Sequence, residues 1–206
     1  MDNIDEKISK LIMQQRNEKV KKSNEEYKAD GQSNEEKMNI LQEVIKQIAN
    51  GHLDLNNNTF TFRKNIYLAG KLEIPIPLNY FVEQINKEDN IALVNDIHGV
   101  SFSATYIDKD VKKQKFSEFK EGMIQGFKAM KIHAEWIDEG DFGVEEYEKV
   151  YYATYKTPTA KGELYNFLFY RQYKGTMIIG NYNCFFKEIE TWEPIIKASA
   201  LLMTIK

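Results

Sequence analysis

Three histidines, one cysteine and 31 carboxylates are the side chains here that could do chemistry, and their spacing decides what kind. A structural or catalytic zinc site needs several His or Cys ligands at defined separations. His52, His98 and His133 include no i, i+4 pair and no HExxH. His133-Ala134-Glu135 opens like a zinc-deaminase signature, but the PCxxC that must follow is missing and a lone cysteine cannot supply it. Asp96-Ile97-His98 could put two ligands on one side of a strand, although a polar turn between strands explains it better. In Asp138-Glu139-Gly140-Asp141-Phe142-Gly143, calcium-loop positions 1, 3 and 5 would be Asp138, Gly140 and Phe142, which cannot ligate as a set. Asp141-Phe142-Gly143 without a glycine-rich loop or HRD is a turn rather than a kinase element. The expectation is no metal and no cofactor.

Nucleophilic and acid–base chemistry fare little better. There is no GxSxG, GxxxxGK[ST] or GxGxxG. Cys184 lies in the aromatic run Tyr182–Phe186, where a cysteine behaves as a small buried hydrophobe, and the sequence shows no basic, partly open setting for a thiolate. Glu135, Glu145, Glu146 and Glu163 would form an acid–base pair only if two of them met in a cleft; solvated surface acids are the first reading. No residue is assigned a catalytic, cofactor-binding or metal-binding role, and the chain is expected not to be an enzyme. The least ordinary feature is tyrosine, with eight of the twelve between Tyr147 and Tyr182. Tyrosine suits interfaces and ligand pockets, and it is also a good strand former that packs half-buried on sheets.

The elements that must position these residues follow from composition and period. Only Tyr27 of the 26 aromatics falls in the first fifty residues, so that stretch cannot build its own core. We therefore expect a helical appendage over 1–51 and a globular α+β domain over 52–206. Ile4, Ile8, Leu11 and Ile12 share a face of a first helix, which fades into the polar Lys21–Gln32. A hinge near 30–33 leads to a second helix. Ser33 and Glu36 form its capping box, Met38, Leu41, Ile45 and Ile48 its stripe, and Asn50-Gly51 its end.

From His52 the period drops towards two. Asn56-Asn57-Asn58 signals a hairpin between Leu53/Leu55 and Phe60/Phe62. Ile66–Ala69 and Lys71–Ile76 read as strands, with Pro75 and Pro77 at an edge or strand end because proline lacks the ladder donor. Residues 78–90 read as a loop, and Ile91–Val94 and Val100–Ile107 as strands. Phe116, Phe119, Met123, Phe127 and Met130 repeat at helical spacing. Four strands are expected near 134–138, 147–155, 164–173 and 176–186, with Gly140, Gly143, Pro158, Gly162 and Gly175 in the turns. Leu164–Arg171 is apolar on both alternating sets, which predicts a strand covered on both faces. Thr191 is expected to cap a last helix with Pro194 in its first turn.

Net charge −3 argues against nucleic-acid binding driven by overall charge. Asp2, Asp5 and Glu6 follow Met1 at once, and no apolar run approaches the roughly 20 residues of a spanning helix. The expectation is a cytoplasmic protein that contacts neither nucleic acid nor membrane.

One order of segments carries a resemblance. Ile74-Pro75-Ile76-Pro77 leads to Tyr80-Phe81, then Gly99-Val100-Ser101-Phe102-Ser103, a single amphipathic helix at Phe116–Met130, three or four long strands, and Thr191-Trp192-Glu193-Pro194-Ile195-Ile196. This resembles the PsbP/Mog-like superfamily, which implies an antiparallel sheet of about six or more strands covered by helices, and a bacterial member without catalytic function. Ran-binding members use an acidic segment after the proline strand. Glu83, Glu88 and Asp89 interleave here with Lys87 and neutral residues and do not match it. The implied role is to bind another protein, as an adaptor, inhibitor, chaperone or toxin-immunity partner, with a homodimer as a further association. The alternative is a small-ligand binder with an aromatic pocket between the sheet and the Phe116–Met130 helix. An enzyme using dispersed carboxylates ranks third.

Overall fold

Two consecutive asparagines with positive φ (Asn56 50°, Asn57 61°) turn β1 (His52–Leu55) back onto β2 (Asn58–Tyr67), the backbone twist a two-residue hairpin requires. The computed structural model describes residues 34–108, 116–144, 147 and 149–206. The first helix, the hinge near 30–33 and Ser33 of the capping box lie outside them. Ahead of β1 comes α1 (Asn34–Ala49). Its Leu41, Val44, Ile45 and Ile48 are buried in the same core as Leu53, Ile74 and Phe102. A compact unit runs from Asn39 to Lys206 and opens inside this helix.

After β2 the chain turns through Leu68–Gly70, where Leu68, Ala69 and Gly70 all take positive φ. The strand expected to reach Ala69 therefore stops at Tyr67. β3 (Leu72–Pro77) pairs with β2 along its length, but the short β11 (Thr204–Ile205) pairs only with Leu72 and Glu73. Pro75 and Pro77 thus lie where β3 has a free side, as their missing N–H requires. These strands form a four-stranded sheet in the order β1-β2-β3-β11.

A second sheet is larger. It comprises β4 (Val82–Asn86), β5 (Asn90–Asn95), β6 (Val100–Ile107), β7 (Glu135–Phe142), β8 (Val150–Thr159), β9 (Gly162–Tyr173) and β10 (Thr176–Phe185). The order is β4-β5-β6-β10-β9-β8-β7, with every neighbouring pair antiparallel. β4 falls within the expected loop. All five of its residues are exposed, so it has no buried face to imprint an alternating pattern. Gly140 and Pro158 sit inside strands and not in turns. Gly140 lies opposite Tyr152, whose ring covers it, and Pro158 lies beyond Lys156, the last β8 residue paired with β7. Lys174 and Gly175, both at positive φ, make the tight β9–β10 hairpin.

Around β8, β9 and β10 the larger sheet is covered on both faces. α2 (Phe116–Ala129) brings Phe119, Met123 and Phe127 against Tyr155, Leu168, Tyr170 and Met177. The opposite face buries Tyr165, Phe167 and Phe169 beneath α3 (Ile189–Leu202) and the smaller sheet. β9 is therefore buried on both faces, as its composition predicts. α3 starts two residues before the expected Thr191 cap, because a 3-10 turn at Phe186–Glu188 feeds directly into it. The Thr191 hydroxyl instead accepts from Asn56 Nδ2 (3.4 Å), and Pro194 falls inside the helix.

Candidate functional site

The sequence candidates scatter. His52 is exposed and pairs with Asp54 (2.9 Å), His133 is exposed in the turn before β7, and His98 lies in the β5–β6 turn. Among the described residues no three His, Cys, Asp or Glu side chains are placed to share a metal ion. Glu145 and Glu146 lie outside the described residues. Glu135 and Glu163 do meet, around Lys156, whose Nζ is 3.7 Å and 3.8 Å from their carboxylate oxygens and 4.8 Å from the centre of the Phe186 ring. The Lys156 side chain is 7% exposed, so the two acids and the ring neutralise and cover a nearly buried cation. Asp138–Phe142 is part of β7, with Asp138 accepting from the Tyr152 hydroxyl (2.8 Å) and Asp141 paired with Lys149 (2.8 Å).

Cys184 has no exposed surface. Burial, helped by the Glu188 and Glu193 carboxylates, pushes its thiol up to about 12. Native protein is expected to react with Ellman's reagent at least ~100-fold more slowly than unfolded protein at pH 8. Reaction at the unfolded rate would contradict this burial. Because the folded thiol holds its proton more tightly than the unfolded one, its contribution to stability is complete below about pH 9 and is lost as pH rises towards 12.

The tyrosines between Tyr147 and Tyr182 do not converge. Tyr155 and Tyr170 pack under α2, while Tyr165 and Tyr182 are buried on the opposite face. The interface between the sheet and α2, where an aromatic pocket was the alternative expectation, is filled by rings: Phe119 on Tyr170 and Phe127 on Tyr155, each at 4.8 Å.

A cleft does exist, elsewhere. Its volume is about 250 Å³, and it opens where the β1–β2 hairpin, the β3–β4 connection, the β5–β6 turn and the start of α3 come together. Trp192, 4% exposed, forms the floor. Phe60 meets Trp192 edge-on at 5.8 Å, and Tyr80 packs against Trp192 at 5.3 Å. The His98 ring stacks on Tyr80 at 5.3 Å and 23°. Asn95 fixes both sides of this stack, donating to the Tyr80 carbonyl (2.6 Å) and accepting from the His98 N–H (3.0 Å). Gly99, at φ +62°, is also required for space, since a Cβ there would run into the Phe185 ring that forms another wall. Burial, with Glu188 and Cys184 adding, pushes the Tyr80 phenol up to about 12. Lys187 and Glu188, 3.9 Å apart, put one charge of each sign at the mouth. Chemically the cleft offers ring faces, an imidazole, an ammonium, a carboxylate and a hydroxyl. Its residues come from separate segments, and no spacing in the sequence links them.

No protein-family model and no curated protein matches the sequence. Solved structures do. The chain is similar to the solution structure of cyanobacterial PsbP (CyanoP) from Synechocystis sp. PCC 6803, with a TM-score of 0.55 and 9% identity over 75% of this chain and 98% of that one. It is also similar to the Ran-binding protein Mog1p of Saccharomyces cerevisiae, with a TM-score of 0.50 and 8% identity over 71% of this chain and 96% of that one. The fold is PsbP/Mog-like. At this identity the likeness is one of architecture, and the cleft residues are this chain's own. Among the described residues of this PsbP/Mog-like chain, no helix is long and apolar enough to cross a membrane.

Proposed function

We propose that the chain is a non-enzymatic protein-binding module that meets its partner at the end of the molecule bearing the cleft. The observation that carries this reading is a set of exposed aliphatic residues there. Leu78 is 42% exposed, Val82 63% and Ile97 90%, and the register places Val82 opposite Val94, at the end of β5 that leads into the Ile97 turn. Exposed apolar residues grouped around aromatic rings are what partner contacts use. A fold relative named as Ran-binding supports the general class. An adaptor, inhibitor, chaperone or immunity partner working in the cytoplasm fits equally, as does association with a second copy. Residues 1–30 serve as a second contact in this proposal.

The test is quantitative affinity capture from the native host with the full chain and with Leu78→Asp/Val82→Asp, both checked for equal thermal melts. The double variant is expected to lose at least ~10-fold of the specifically captured protein. A chain lacking residues 1–30 is expected to melt cooperatively and capture less. Identical capture by wild type and the Leu78/Val82 variant would reject this surface, and sedimentation of the same samples separates self-association from a foreign partner.

A further inference from the structure

The cleft has the size of one ring system. About 250 Å³ is the share of roughly eight waters, below the range of drug-sized pockets. We infer that it takes a single planar, uncharged aromatic or heteroaromatic ring seated against Trp192, Phe60, Tyr80 and Phe185; only the identity of the ring's carrier rests on the protein-binding reading above.

Three observations support a ring. The walls already pack in the edge-on and stacked geometries that aromatic quadrupoles favour, so an incoming ring extends an existing arrangement. They are also held in place before anything binds. Asn95 anchors the Tyr80–His98 stack from both sides, and Gly99 leaves the room that the Phe185 ring needs. Preorganised walls lower the ordering cost of binding. Ile97, at 90% exposure on the lip, supplies an aliphatic cover.

Charge argues for a neutral occupant. Ring faces attract cations, but Lys187 Nζ already stands 6.0 Å from the Phe185 ring centre and 3.9 Å from Glu188. A second ammonium would meet that like charge beside the Phe185 ring. An anion would face Glu188. The opposed pair instead provides a donor and an acceptor for polar edges of a ring.

The experiment uses the 15N-labelled full chain, with N-acetyltryptophanamide, N-acetylleucinamide and a capped Ala-Ala-Trp-Ala-Ala peptide as probes. Saturable shifts are expected at the Ile97, His98, Gly99 and Glu188 amides and at the Trp192 indole N–H, about fivefold or more weaker with the leucine probe. Asn58→Trp, placed on an exposed lip position, fills the cleft without touching the core and is expected to abolish them. A peptide at least ~10-fold tighter than the free tryptophan probe makes a partner protein the carrier; equal affinity makes it a small molecule. No saturable shift, equal response to leucine, or shifts that persist in Asn58→Trp would overturn the inference. This readout uses purified chain alone, whereas the surface test reads Leu78 and Val82, so either can fail without the other.

Discussion

Arg171→Met is expected to destabilise the protein by about 3 kcal/mol, lowering the melting temperature by roughly 6–12 °C for a domain of this size. The guanidinium is buried between β9 and the end of α3, where Nη1 donates to the Met203 carbonyl (2.5 Å) and more weakly to those of Ala200 and Leu201 (3.4 Å each). The last carbonyls of a helix have no partner within the helix, and these lie away from water. A cation at that end also opposes the partial negative charge of the helix dipole. Methionine keeps much of the volume and removes the donors, leaving the carbonyls unsatisfied. Lysine keeps the charge but not the fork of donors, and should recover about half the loss. Urea unfolding with an unchanged slope measures both variants. A Met variant within about 0.5 kcal/mol of wild type, the range of neutral surface changes, would show that the carbonyls find other partners.

Trp192→Ala is expected to cost about 4 kcal/mol, roughly 8–16 °C in melting temperature. The indole is buried beneath Phe60, Tyr80 and Phe81, with ring centres 5.8, 5.3 and 6.5 Å away, so its removal leaves a hole that three rings from different segments cannot all close. Trp192→Phe should cost under about 2 kcal/mol, because a ring still fills most of the floor. A second readout is electronic. Tyr80 holds its proton up to about 12 chiefly because it is buried, so hydrating it through the hole should bring its spectrophotometric titration back towards 10. If stability falls but Tyr80 titrates as before, the rings have collapsed into the hole and the cleft has closed.

The larger sheet was the more legible part of this chain. Long strands with strong alternation, the Lys174-Gly175 turn and the doubly apolar Leu164–Arg171 run each pointed to what they form, as the Asn56-Asn57 turn did in the smaller sheet, and the order of segments pointed to a PsbP/Mog-like arrangement. Elements whose stability is tertiary were not legible. β4 leaves no pattern because nothing covers it. Gly140 is tolerated in a strand because Tyr152 lies across it, and Gly180 because the Phe169 ring opposite fills the place of its missing Cβ. Thr191 looked like a cap because the 3-10 turn that replaces it leaves no signature. The cleft was least legible of all. Tyr80 and Trp192 were visible as residues, but what brings them together is the meeting of two sheets, and the tyrosine-rich stretch drew attention to rings that turn out to pack on opposite faces.

The two outer strands of the seven-stranded sheet bear on how this molecule tolerates crowding. One edge, β7, carries Glu135, Asp138, Glu139 and Asp141 within eight residues. The other, β4, breaks register between Glu83 and Ile85. Charged side chains and a bulge are the usual devices that stop one sheet from templating the next. Open-ended, fibre-like growth is thereby disfavoured at both margins, so the exposed Leu78, Val82 and Ile97 do not sit beside an unguarded sheet edge.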